Sequence, residues 1–403
     1  MRTLLFTSLI SISFFNDITV TAQSAWTSKT AFGGEERYRA VSFAIDDYGY
    51  VGTGITLSGR SGTKDFWQWN RTTDSWVKKA DFPGGERFDA LALSINGKAY
   101  VGGGGSPAGW EKDLWEYNPV TDAWVKKADL GGGARAAAVA FSIGNKGYIV
   151  TGGNGAGLKD FWEYNPASNL WTRKADFPAT ERSFAAGFSI GNKGYVLGGL
   201  IGNGVQDFWE WNQASDKWTK KADFGGGGRA ELVAFSIGNK AYAGTGIATL
   251  NYLQDFWEWE QATDTWTPVQ SCGGVGRGNA ISFVIGNKGY MATGGYYEDY
   301  GHYEKDVWEF STDVSTSIKV GKEMDMDINV YPNPTSGIIV LSSDKVSVNK
   351  VIRIYDVLGN CVIKNISMQG KTIEIDIKGK AKGIYFLEIT SADKRYVKKI
   401  LYE

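Results

Sequence analysis

The chain is predicted to be all-β: a six-bladed β-propeller closed by its own N-terminal strand, followed by a small C-terminal β-sandwich. Three observations carry this. First, one phrase is said six times: DFWQWN (65–70), DLWEYN (113–118), DFWEYN (160–165), DFWEWN (207–212), DFWEWE (255–260) and DVWEF (306–310). Its opening aspartates are 48, 47, 47, 48 and 51 residues apart, and a period near fifty made of strand patterns builds propellers or solenoids. Second, each period holds four strand candidates, as RAAAVAFSIG, KGYIVTGG, DFWEYN and LWTRKA do within 135–175. Four antiparallel strands repeated six times describe six blades around a central channel. Third, Trp76, Trp124, Trp171, Trp218 and Trp266 follow the first five phrases, but no tryptophan follows the sixth. The missing strand stands at the other end, where Trp26 and Arg37 keep the 11-residue spacing of Trp76 and Arg87.

Taken in order, residues 1–22 read as a secretory signal peptide. Arg2 gives a charged start, TLLFTSLISISFF an apolar run, and Val20-Thr21-Ala22 small residues before Gln23. Residues 23–312 form the propeller, with short Gly/Asn turns (IGNKGY at 143–148, 190–195 and 285–290) between the first two strands of a blade. Residues 313–327 are polar and read as a linker. From 328 to 403 the tryptophans stop, and short Val/Ile runs broken by turn signals suggest about seven strands in a small sandwich.

Composition excludes several functions. The chain has 43 basic against 44 acidic residues, so a nucleic acid held by phosphate neutralisation is not expected. One histidine, His302, and two cysteines, Cys272 and Cys361, leave too few ligands for most zinc or haem sites. No cofactor or metal is expected. No membrane span is expected either, because no later segment approaches ~18 consecutive apolar residues. The chain is read as a monomer.

Candidate site residues follow from what repeats and what does not. Fifteen of the 16 tryptophans sit at repeat positions and read as packing between blades. Arg37, Arg87, Arg135, Arg182, Arg229 and Arg277 open the blades. They read either as a guanidinium ring for a carboxylate or sulfated glycan, or as donors to carbonyls in the Gly-rich loops. Two residues on, every blade differs: Arg39, Asp89, Ala137, Phe184, Glu231 and Asn279. The loops between second and third strands also differ, and they hold Arg60, Trp110, Tyr252, Tyr297, Tyr300 and His302. A four-stranded meander brings these loops out on the face that carries the arginines, and the uniform turns out on the other, so the individual face is the expected binding face. As catalytic groups only Asp89 and Glu231 suggest themselves, as a glycosidase-like carboxylate pair. They belong to blades two and five, opposite one another.

The Gly-Gly ending of the second strand, the tryptophan of the fourth and the arginine after it resemble kelch repeats over roughly residues 25–312. That resemblance implies a fold more than a function, since kelch propellers include protein-binding modules, sugar enzymes and copper oxidases. The copper enzymes need two histidine ligands and a tyrosine–cysteine site, which one histidine cannot supply. YPNPTSG (331–337), IYDVLGNCV, GIYFLEI and the ending YVKKILYE resemble the type A C-terminal sorting domain of type IX secretion cargo. This implies the type IX machinery as partner, and passage through the outer membrane to the cell surface or the medium. The expected function is a secreted or surface-held module binding a glycan or protein. The alternatives are a sugar-active enzyme resembling kelch-type sialic acid epimerases, with Arg39, Asp89 and Glu231 around an anionic sugar, and a purely structural surface protein.

Overall fold

The computed structural model describes residues 17–21, 26–58, 62–296, 302–312, 317–321, 328–356, 361–380, 382–391 and 394–403. The chain divides into two compact units, 24–313 and a second made of 1–23 with 314–403.

The first unit contains six four-stranded antiparallel sheets. In blade three, Val139–Ile143 pairs with Lys146–Val150, then Phe161–Asn165, then Leu170–Lys174. Alternation decides which way the innermost strand faces. Val139, Phe141 and Ile143 are buried, while the small Ala140 and Ser142 occupy the other face. Each core cluster joins two blades. Phe141, Tyr148 and Phe161 of blade three pack with Val196 and Trp211 of blade four, and the Phe161 and Trp211 rings meet edge to face at 4.7 Å. In the sixth sheet Ile281–Ile285, Lys288–Ala292 and Val307–Ser311 are completed by Trp26–Lys29, with Trp26 opposite Phe310 and Lys29 opposite Val307. The N-terminal strand therefore supplies the outermost strand of the last blade.

The repeated phrase is a joint. Each blade-opening arginine is at most 2% exposed and makes a two-pronged ion pair with the aspartate of the phrase in its own period. Arg37 binds Asp65 at 2.7 and 2.8 Å, and Arg135 binds Asp160 at 2.9 and 2.7 Å. Arg87–Asp113, Arg182–Asp207, Arg229–Asp255 and Arg277–Asp306 repeat the arrangement. The tryptophan two residues on donates its indole N–H to the same carboxylate, as Trp162 does to Asp160 at 2.6 Å. A carbonyl in the loop after the second strand accepts from the same guanidinium, as Thr53 O does from Arg37 at 2.8 Å. Burial alone would raise the Asp160 carboxyl. The hydrogen bonds and charge of Arg135, with the Trp162 bond, hold it below the ordinary value. A second latch lies near the outer edge, where Trp218 Nε1 donates to Ala175 O (2.9 Å) and Asp216 accepts from both Ala175 N and Trp211 Nε1.

In the second unit, Asp17–Thr21 pairs with Ser317–Gly321, so parts of the segments read as leader and linker are extended strand. The apolar run of the leader and its cleavage site lie outside the described residues. The C-terminal region is one five-stranded antiparallel sheet: Ile328–Tyr331, Ile338–Asp356, Cys361–Asp376, Gly383–Ser391 and Lys394–Tyr402. The sequence pattern suggests about seven strands. Ile338–Asp356 and Cys361–Asp376 each run through irregularities of register between Ser342 and Tyr355, and so each covers what reads in sequence as two short runs. Ile339, Leu341, Ile352, Ile354, Leu387 and Ile400 form its core. Asn333 of the YPNPTSG turn donates to Lys399 O and accepts from Leu401 N, which ties the turn to the last strand.

Candidate functional site

The six positions that vary from blade to blade form a hydrogen-bonded ring. Asp89 N donates to Arg39 O, Ala137 N to Asp89 O, Phe184 N to Ala137 O, Glu231 N to Phe184 O, Asn279 N to Glu231 O and Arg39 N to Asn279 O, at 2.9 to 3.2 Å. The circuit returns to its start. Every member has a left-handed backbone, with φ between 50 and 60°, a conformation that costs a residue with a side chain roughly 1–2 kcal/mol. Each position thus has the same backbone geometry and carries a different side chain at the mouth of the channel.

Arg39 organises this mouth. Arg39 and Phe184 belong to blades one and four, yet the guanidinium carbon lies 5.3 Å from the Phe184 ring centroid, and equally far from that of Tyr38. The Arg39 side chain therefore reaches across the mouth and is held between two aromatic rings. Nη1 bonds Asp89 Oδ2 at 3.1 Å, while Nε is buried and has no hydrogen-bond partner among the described residues. Tyr38 stacks on Tyr303 with centroids 4.6 Å apart, and burial, opposed by the Arg39 charge, pushes its hydroxyl up to about 12.

The two carboxylates sense one another through this arrangement. The Asp89 side chain is 7% exposed. Burial pushes its carboxyl up to about 7, against the lowering effect of Arg39 and with a further rise from Glu231. Glu231 is also raised, by burial first, with Arg39 and a hydrogen bond from Asn279 opposing. Among the described residues Glu231 has no ion pair. Although they stand on opposite blades, Asp89 and Glu231 share the field of one guanidinium.

The remaining candidates are distributed unevenly. Trp110 is 46% exposed on a two-residue ribbon, Gly105–Ser106 with Gly109–Trp110. Tyr252 lies on the ribbon Ile247–Ala248 with Asn251–Tyr252 and comes close to the mouth. A methyl group on Gly278 would overlap Glu231 Oε2 and come 3.2 Å from the Tyr252 ring. His302 is exposed and stacks on Tyr296 at 4.8 Å. Arg60, Tyr297 and Tyr300 lie outside the described residues. The six blade-opening arginines are inside the protein, committed to their aspartates, and the mouth is built without them. An open groove of about 940 Å³, lined by Glu35, Glu36, Leu57, Asp81 and Glu86 among others, includes none of the six varied positions. No group of three or more potential metal ligands exists among the described residues. Sequence reasoning missed Tyr38 and Tyr303. Strand alternation sets Tyr38 on the face opposite Arg39, and only the left-handed turn at Arg39 brings the two together.

Residues 329–403 match the secretion system C-terminal sorting domain. The solved structure of YjhT, a kelch-type β-propeller, matches with a TM-score of 0.60 at 19% identity, covering 69% of this chain and 95% of that one. No curated protein sequence matches this chain. The first unit thus has the fold of a kelch-like propeller, and residues 329–403 are a type IX sorting domain. That domain indicates export to the cell surface or the extracellular space. No helix among the described residues is long and apolar enough to cross a membrane.

Proposed function

We propose that the propeller is an exported binding module whose ligand, a glycan or a protein, docks on the face carrying the varied loops, with the channel mouth at its centre. One observation carries this reading: six equivalent positions share a backbone conformation that costs energy and hold six different side chains, four of them polar or charged. Packing between blades has no use for such variation, whereas recognition of an asymmetric ligand does. The test is binding of the full chain to arrays of glycans and of surface proteins, beside Arg39→Ala and Trp110→Ala variants. Ligand capture that Arg39→Ala lowers at least tenfold, with the variant still folded by circular dichroism at the assay temperature, is the expected outcome. Undiminished capture by both variants would move the ligand off this face.

A second reading, a sugar-active enzyme, draws on the Asp89 carboxyl. An acid raised to about 7 beside a guanidinium suits general acid–base work near neutrality. Any sugar captured should then be turned over, and Asp89→Asn should abolish turnover while binding persists.

A further inference from the structure

The binding reading leaves the chemistry of the ligand open, and the mouth narrows it. Among the described residues three charged side chains meet there, two carboxylates and one guanidinium, and the guanidinium is already paired with Asp89. Among the described residues Glu231 has the Asn279 hydrogen bond and the pull of Arg39, so with both carboxylates ionised these groups carry one negative charge in excess. Beside Glu231 stands the Tyr252 ring, the two flanking one spot above Gly278. A carboxylate with an aromatic ring beside it is a receptor for a cation.

The rim points to a kind of partner. Leu57, Leu200 and Leu250 are 55, 39 and 88% exposed, and Trp110 is 46% exposed. Each stands in the loop between the second and third strands of its own blade, on the face of the mouth. Sugars stack on aromatic rings, and leucines offer them little. Aliphatic side chains spread around a charged centre fit the mixed apolar and polar surface of a polypeptide.

Resting on the binding reading, we infer that the ligand is a polypeptide segment that places a lysine or arginine head group against Glu231 and Tyr252 while its apolar residues cover the leucine and Trp110 rim. The basic head group makes the ion pair that Glu231 lacks among the described residues. An acidic head group would meet Glu231 and Asp89, and only a guanidinium already engaged.

The test uses positional peptide libraries, each pool with one fixed residue among randomised ones, captured on the immobilised full chain. Pools fixed with Lys or Arg should be retained at least tenfold over pools fixed with acetyl-lysine, norleucine or Glu. Glu231→Gln should remove that preference without lowering the unfolding temperature. Leu250→Ser should weaken retention of every pool while leaving the preference for basic residues. Equal retention of acetyl-lysine and lysine pools, or preference for Glu, overturns the inference. If no pool is retained but a glycan is captured on this face and lost in Arg39→Ala, the binding reading stands and the basic-polypeptide inference falls. If neither probe is captured, both fall.

Discussion

Asp89 is buried in the mouth with one cationic partner and a second carboxylate nearby, and this sets a pH dependence with a definite sign. Its folded value, about 7, lies above the ordinary carboxylate value near 3.9 of an unfolded chain. Between the two, the folded state binds the proton and the unfolded state releases it. This contribution to stability is therefore complete below the unfolded value and is lost as pH rises through the folded one, at ~1.4 kcal/mol per pH unit in that window. Other groups face Asp89 as well: Arg39, Glu231 and Tyr38, with Tyr303 stacked behind Tyr38. Of these, Glu231 adds a shift of the same sign. Asp89→Asn removes the Asp89 part. Thermal unfolding of the variant and the parent should nearly coincide at pH 4, and the variant should become the more stable as pH approaches 8. A constant difference across that range would show that Asp89 titrates normally.

At the scale of the element, the informative piece is the N-terminal strand. Trp26 is 3% exposed, packs edge to face on Phe256 at 4.8 Å and against Phe310 at 5.1 Å, and donates Nε1 to Gln270 O at 3.1 Å. It therefore touches blade five as well as its own blade six, as the outer tryptophan of every other blade touches the blade before it. Trp26→Ala should cost about 3–5 kcal/mol, as read from urea unfolding. Loss of under 1 kcal/mol would mean that the strand is dispensable. This closing strand was legible in sequence because the Trp-to-Arg spacing survives its displacement to the far end of the chain. The mouth was legible only in part. Variation at Arg39, Asp89, Ala137, Phe184, Glu231 and Asn279 marked the positions, but only Asp89 and Asn279 are of types that favour a left-handed backbone, and Arg39, Ala137, Phe184 and Glu231 do not announce one. The reach of Arg39 across to Phe184 depends on that backbone. Without it the opposite blades of Asp89 and Glu231 suggested separation, and their coupling through one guanidinium went unread. The arginines one step earlier had two readings, because the Asp partner lies 25 to 29 residues downstream and only the folded blade brings the two together.

For the whole molecule, the repeat makes the propeller one cooperative object while the sorting region has a core of its own. Core clusters shared by neighbouring blades, the outer-tryptophan latches and six links in the backbone ring run through all the blades, so no single blade holds a complete set of contacts. The residues around Ile339, Ile352, Ile354 and Leu387, by contrast, form a cluster drawn wholly from the C-terminal sheet. Two unfolding transitions are therefore expected in calorimetry of the full chain. Arg135→Ala strands the Asp160 carboxylate, only 18% exposed, without its cation. Removing one partner of such a pair costs about 3–5 kcal/mol. Arg135→Lys should recover only part of this, because an ammonium cannot span both carboxylate oxygens as the guanidinium does. Both changes should lower the propeller transition as a whole, without splitting it into blade-sized steps, and leave the other transition in place. Ile354→Ala, at a fully buried site, should do the reverse and cost about 2–5 kcal/mol. A new low-temperature step in Arg135→Ala would show that blade three unfolds alone, and the hydrogen-bonded ring would then not couple the blades. Movement of both transitions by either variant would show that the two cores are coupled.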